Sequence, residues 1–366
     1  MCGVFGIRSV ERDVARLSYF ALFALQHRGQ ESAGIAVSEG GRLTVLRDMG
    51  LVAQVFNEQQ LQALPGEVAI GHTRYSTTGG VHWSNAQPLV HHGRARTVAI
   101  GHNGNLTNSG LLREGLVARG IRLGSTSDTE VIGALIANDD APLADAVAAA
   151  MGALEGAYSV AALVGDTLVA FRDPHGIRPL ALGRIGDDWV VASESCALDL
   201  IGAEVERDVR PGEIVLVDGG GLRSVQALPE GQGALCIFEH VYFARPDSRL
   251  GGTEVHGARV RMGERLAREA PATRIDVNSA AAFVGSVVLL QPAPEQDDDD
   301  FAQPAQECQS QDQQAEVCRP ACPVEAQIKL RQRGKADQRH DQIKRHLHQQ
   351  KECPGLQRRR DTWLRQ

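Results

Sequence analysis

The chain has 366 residues, with 38 Lys and Arg against 45 Asp and Glu and a formal net charge of -7. That balance excludes a basic nucleic-acid surface as the dominant feature, and no stretch approaches the ~20 uninterrupted apolar residues of a transmembrane helix. Hydrophobic residues make up 43% and aromatics only 4%, so the core must be mostly Ala, Val, Leu and Ile. Seven cysteines, an odd number unevenly spread, argue against a disulfide framework. The N-terminus lacks a basic segment followed by a long apolar one, so no signal peptide is expected and the protein is expected to be cytoplasmic.

Residues 1 to about 272 read as globular. The chain opens MCGVFGI, an apolar run led by Cys2. Asp13–His27 carries Val14, Leu17, Ala21, Leu22 and Leu25 at helical spacing and ends at Gly29. The runs GIAVS, RLTVLRD, EVAIGH and TVAIGHNG follow, each bounded by Gly, Asp or Asn. Asp128–Ala137 starts a helix behind a Ser-Asp cap, and Leu143–Leu154 is an Ala-rich one. YSVAALVGD, TLVAFRD, DWVVASES and EIVLVDGG are further strands, and His256–Glu269 is an amphipathic helix stopped by Pro271. Strands in consecutive pairs predict antiparallel ladders rather than a βαβ series. From Gln291 onward the chain is Gln-, Arg- and Asp-rich, with DDDD at 297–300 and RRR at 358–360. Such composition cannot bury enough surface to offset chain entropy, so this part is expected to be disordered.

Four stretches carry chemistry. Cys2 lies directly behind the initiator Met. If Met1 is removed, the same residue supplies a thiol nucleophile and a free α-amine, whose reference pKa of about 7.7–8 suits a base near neutral pH. Taken alone, Cys2 also reads as an inert thiol opening a strand. GHTRYSTTG (71–79) leaves a strand end, where Arg74 can make a two-pronged pair with a carboxylate and Tyr75, Ser76, Thr77 and Thr78 add hydroxyls. GHNGNLTN (101–108) offers the Asn103 side-chain N–H and the Gly104 backbone N–H, two donors suited to a tetrahedral oxyanion. A bare Asn-Gly is equally a hairpin turn. STSDTE (125–130) caps a helix, and its Asp128 can hold an ammonium. A thiol, an oxyanion hole and clamps for a carboxylate and an ammonium predict acyl transfer from an amino acid with a side-chain amide; glutamine fits.

These segments resemble the class II glutamine amidotransferases, an N-terminal-nucleophile hydrolase family. CGVFGI, ALFALQHRGQESAGIAV, GHTRYSTTG, NAQPLV, GHNGNLTN, SDTE, RDPHGIRPLALG, ASESCALD, PGEIV and CIFEHVYFARPDS occur in the family's order over about residues 2 to 272. RDPHGIRPLALG and YFARPDS point to the branch that uses phosphoribosyl pyrophosphate. The resemblance implies an α+β fold, a four-layer αββα sandwich of two antiparallel sheets. It implies Cys2 as nucleophile, Asn103 and Gly104 as oxyanion hole, and Arg74 and Asp128 as holders of the glutamine carboxylate and ammonium. Arg28 and Gly29 would border the nucleophile, and Tyr75 would organise the site on substrate binding. The implied overall reaction turns phosphoribosyl pyrophosphate, glutamine and water into 5-phosphoribosylamine, glutamate and pyrophosphate, the first step of de novo purine biosynthesis. A homo-oligomer is implied, with neither nucleic acid nor membrane as partner.

The expected domains are a glutaminase domain at 2–235, the start of a phosphoribosyltransferase domain at 236–272, and an aberrant, disordered tail at 273–366. REAP (268–271) is not followed by the family's acidic pair and Gly-Thr-Thr phosphate loop, which points to a truncation or a shifted frame near residue 272. Phosphoribosyl transfer and its Mg2+ are therefore not expected of this chain. Some family members hold a 4Fe–4S cluster through four cysteines. Cys236 matches the first position, while Cys308, Cys318, Cys322 and Cys353 do not match the remaining spacing. Cys196 reads as a core cysteine. The alternative to an enzyme is a truncated product that acts only by association.

Overall fold

The computed structural model describes residues 1–76, 80 and 82–270. In chain order these form β1 (Gly3–Arg8), α1 (Val14–Ala24), β2 (Ser32–Glu39), β3 (Arg42–Met49), α2 (Val52–Val55), α3 (Glu58–Gln62), β4 (Val68–Arg74), β5 (Leu89–His92) and β6 (Thr97–Leu106). There follow α4 (Ser109–Ala118), α5 (Asp128–Ala137), α6 (Leu143–Ala153), β7 (Gly156–Val164), β8 (Thr167–Arg172), β9 (Ala181–Ile185), β10 (Asp188–Ala192) and α7 (Ser195–Leu200). The last elements are β11 (Glu204–Asp208), β12 (Glu213–Asp218), β13 (Gly221–Gln226), a π-helical turn at Glu239–Phe243, the short pair β14 (Arg249–Leu250) and β15 (Thr253–Glu254), and α8 (Val255–Glu269).

Two antiparallel sheets carry the fold. One has the order β11-β9-β10-β1-β4-β2-β3, the other β13-β12-β8-β7-β6-β5. Side-chain alternation along β1 shows how they stack. Val4 joins a cluster between the sheets with Ile70, Ala99, Ala161 and Leu182, whereas Phe5 and Ile7 face Leu22 and Leu25 of the α1 region. Gly6 lies on the inner face, where a Cβ would stand 2.7 Å from Leu168 Cδ1. On the far side of the second sheet, Ile100, Tyr158 and Phe171 pack with Ile132 and Ile136 of α5 and Val147 and Met151 of α6. The layers are therefore helix, sheet, sheet, helix, and the sandwich type expected from the sequence is the one observed. Central strands buried on both faces explain why EVAI and TVAI read as continuous apolar runs.

The helices expected at 13–27, 128–137, 143–154 and 256–269 are present, with ends shifted by a few residues at most. β5, β9, β11, β13, β14 and β15, and the helices α2, α3, α4 and α7, have no counterpart among the expected elements. β11 and β13 are edge strands, exposed along much of their length, and α4 starts at Asn108 without a side-chain cap. Chain contacts divide the molecule into Met1–Pro292 and Ala293–Gln366. The second unit and the expectations for 273–366, including disorder, the Asp run and four of the seven cysteines, lie outside the described residues.

Candidate active site

β1 and β4 run antiparallel with Gly3 opposite Thr73, so the start of β1 meets the end of β4. Cys2 and Arg74 are thereby brought to the same end of the first sheet. From the second sheet, Asn103 of β6 spans the gap: the Cys2 backbone N–H donates to its Oδ1 at 3.1 Å. Asn103 is 1% exposed, and its amide Nδ2 has no hydrogen-bond partner. A buried amide donor without a partner costs on the order of 1–3 kcal/mol, so it is a site prepared for an acceptor. The Cys2 thiol lies 3.5 Å from the Tyr75 carbonyl oxygen, to which it donates. Burial pushes the thiol pKa up, and the positive charges of the N-terminal ammonium and Arg74 pull against that rise. The Met1 ammonium pKa is lowered, first by burial and then by Arg28 and Arg178, with Cys2 acting the other way.

Arg74 is 2% exposed, with Nη1 3.4 Å from Glu31 Oε2 and Nη2 3.4 Å from the Gly80 carbonyl. Glu31 also accepts from the Ser76 N–H at 3.0 Å and the Ser76 hydroxyl at 2.8 Å, tying the chain after β4 to the same carboxylate. Thr77 and Thr78 lie outside the described residues. Asp128 opens α5 directly behind Ser127, whose Oγ accepts from the Thr129 N–H. Its Oδ2 accepts from the Leu106 N–H at 3.0 Å, and Oδ1 stands 3.8 Å from His102 Nδ1. Burial would raise the Asp128 pKa, but His102, these N–H donors and the start of the helix hold it below the usual carboxylate range. The charges of both Arg74 and Asp128 are felt at the Cys2 sulfur, so anion, cation and thiol share one site. Tyr75 contributes its carbonyl; its ring is 54% exposed.

The two glycines are there for close approach. A Cβ on Gly104 would stand 1.9 Å from the Ala157 carbonyl oxygen and 2.5 Å from His102 Nε2. A Cβ on Gly29 would stand 2.5–2.7 Å from the backbone of Arg74. Arg28, beside it, is fully buried and donates from Nε to the Cys2 carbonyl oxygen at 3.0 Å. Its other nitrogens meet two carboxylates, Glu194 and Glu239, both with fully buried side chains. Glu194 also receives His27, the Ser248 hydroxyl at 2.7 Å and the Arg245 N–H at 2.9 Å. Burial would raise the Glu194 pKa, but Arg28 and His27 hold it far below the usual range.

Sequence reasoning did not find Glu31, Glu194 or Glu239. The available signal was an acidic residue inside a short uncharged or apolar frame, as in ASESCA and CIFEH, since a buried carboxylate requires a cation. Cys196 is buried, 3.7 Å from Glu194 Oε2, and burial with that carboxylate pushes its thiol up to about 12, as suits a packed cysteine. Cys236 is half-buried and free. Among the described residues no group of three or more His, Cys, Asp or Glu side chains could hold a metal ion, so Cys236 does not there form part of a cluster site.

Residues 72–200 match the family described as glutamine amidotransferase domain. An amidophosphoribosyltransferase of Mycobacterium tuberculosis (strain ATCC 25618 / H37Rv) is 50% identical over 279 residues, covering 74% of this chain and 53% of that protein. One from Archaeoglobus fulgidus is 46% identical over 275 residues, covering 74% and 60%. Over this aligned part, the chain is similar to the amidophosphoribosyltransferases. A solved family structure, glutamine phosphoribosylpyrophosphate amidotransferase from B. subtilis complexed with ADP and GMP, superposes with a TM-score of 0.70 at 38% identity, over 74% of this chain and 59% of that one. A second, described as the allosteric regulatory enzyme of purine biosynthesis, gives 0.71 at 36% identity, over 78% and 63%. The chain thus spans little more than half the length of the curated relatives it matches. Among the described residues, no helix is long and apolar enough to cross a membrane.

Proposed function

We propose that this chain hydrolyses glutamine to glutamate and ammonia through Cys2, as the glutaminase part of an amidophosphoribosyltransferase. The observation that carries the reading is Asn103: one end of its amide fixes the Cys2 nitrogen while the other end is buried and unpartnered. With Met1 removed, the Cys2 nitrogen becomes an amine. Burial and Arg28, which lower the present N-terminal ammonium, would favour the neutral form needed to take the thiol proton. The sulfur then attacks the glutamine side-chain carboxamide. The developing oxyanion is met by Asn103 Nδ2 and the Gly104 N–H, and the α-ammonium returns the proton to the departing ammonia. Water, deprotonated by the amine, cleaves the thioester and releases glutamate. Arg74 would take the substrate carboxylate and Asp128 its ammonium, with Tyr75 bordering the entrance and Gly29 allowing Arg28 to reach Cys2.

Phosphoribosyl transfer is proposed to need sequence beyond the aligned part. The family's phosphate loop has no counterpart after REAP, and Mg2+ belongs with that loop. A cluster is not proposed for this chain, because Cys236 matches one of the four ligand positions and the spacing of Cys308, Cys318, Cys322 and Cys353 does not match the other three. The reading is tested on the processed chain by glutamate release. Cys2→Ala should abolish it, and a glutamine-like electrophile should label Cys2 alone; absence of both turnover and labelling rejects the reading. Pyrophosphate release from phosphoribosyl pyrophosphate and glutamine would reject the proposed loss of transfer. A second reading, association without catalysis, is favoured by one observation: Ile237, Phe238, Val241 and Tyr242 expose apolar side chains on a single turn. Light scattering of an inactive chain would separate it.

A further inference from the structure

We infer that Glu239, assisted by Glu194, is a positioning residue for the nucleophile, acting through Arg28; this rests on the glutaminase reading above. Once Met1 is gone, no upstream chain holds Cys2. Two polar contacts then hold its backbone, beside the thiol's contact with the Tyr75 carbonyl: its nitrogen on Asn103 Oδ1 and its carbonyl oxygen on Arg28 Nε, 3.1 and 3.0 Å. A guanidinium is planar, so the direction of its Nε–H is fixed by whatever fixes its other two nitrogens. Here Nη2 donates to Glu239 Oε1 at 2.9 Å, and Nη1 to Glu239 Oε2 at 3.0 Å and to Glu194. The Glu239 pair is the two-pronged geometry that sets orientation as well as strength.

Glu239 comes from far along the chain and from an unusual element. It opens the π-helical turn Glu239–Phe243, and single π turns are frequent at functional sites. That turn is held in its turn by α8: Arg259 donates to the His240 carbonyl at 2.7 Å and to the Ala244 carbonyl at 2.8 Å. A continuous set of contacts therefore runs from Arg259 through the turn, Glu239 and Arg28 to Cys2. The segment expected from sequence to begin a second domain supplies part of the support for the first domain's nucleophile.

The test uses the full processed chain and two variants. Glu239→Gln removes the charge while keeping the shape, and Arg259→Gln loosens the turn without leaving Arg28 short of a carboxylate. Each is measured for glutamine kcat and KM, for the rate of Cys2 alkylation by iodoacetamide, and for folding by circular dichroism. Glu239→Gln should lower kcat and the alkylation rate by about tenfold or more, with KM within about twofold; Arg259→Gln should move both the same way by less. Unchanged kcat and alkylation in a folded Glu239→Gln chain, or a rise in KM alone, overturns the inference. If Glu239→Gln does not fold, a folded Arg259→Gln chain with parental kcat and alkylation overturns it equally. Alkylation needs no glutamine, so a parent chain without turnover rejects the glutaminase reading while the positioning claim is still measured.

Discussion

Asn103 shows how a single side chain can be committed at one atom and available at another. Its Oδ1 is used by the Cys2 nitrogen, and its Nδ2 is held without an acceptor. Asn103→Ala removes both functions, and steady-state kinetics should show kcat for glutamine reduced by about 10²–10³-fold. His72 makes a separate prediction about stability. It is fully buried, with Nε2 3.1 Å from the His102 carbonyl, and burial chiefly pushes its pKa down to about 3. Folded His72 therefore stays neutral where the unfolded residue, at about 6.5, takes a proton. Stability from this group is complete above pH 6.5 and is lost as pH falls towards 3, on the order of 1 kcal/mol by pH 5.5. Urea unfolding at pH 7.5 and 5.5 should show that loss, and His72→Asn should shrink it. Cys2, Arg74, Asn103 and Asp128 could be picked out as candidates because they sit beside or toward the end of apolar runs or open a helix, where polar residues have few structural duties. Glu194 and Glu239 were not, because a carboxylate's burial depends on a distant cation that local sequence does not reveal.

Among the elements, the turn between α1 and β2 does the placing. Gly29 lies against the end of β4, and its φ of -162° is ordinary extended backbone, so the requirement is for space alone. Gly29→Ala should force the turn away from Arg74 and lower stability by about 1–3 kcal/mol, the cost of overpacking, with loss of glutamine turnover. Gly110→Ala is the contrast: a Cβ there meets nothing within 4 Å and the residue lies in α4. It should gain about 0.5–1 kcal/mol, and thermal melting of the two variants checks both signs. Most strands in the sandwich interior were legible from their apolar runs; β9, ALGRI, was not, because Gly183 and Arg184 interrupt its apolar pattern. Edge strands such as β11, where Val205 is exposed between charged neighbours, were not, because solvent on one side removes the pattern that marks a strand. The π turn is likewise invisible to periodicity, being a single turn specified by tertiary contacts.

At the scale of the molecule, four layers fix two sheets face to face and bring the start of β1 against β6. The pairing of strands and the outer helices could be read in order from the sequence, but their sheet order could not. β1 and β2 are separated by β4, and β8 joins β12, choices made by inter-sheet packing rather than by any local signal. The central place of β1 has a consequence in time. Ladders with β4 and β10 enclose it on both edges, and Met1 is only 7% exposed. A peptidase needs its substrate extended in its own cleft, which a folded chain does not offer. On the Cys2 reading, removal of Met1 is therefore expected in the interval when the N-terminus has left the ribosome and β10, nearly two hundred residues later, has yet to be made. Chain refolded with Met1 in place should resist a methionine aminopeptidase by mass spectrometry, while the same chain in urea tolerated by the peptidase should be trimmed. If Cys2 is the nucleophile, its maturation is a race run during synthesis, with the late-emerging β10 closing the door on the first residue.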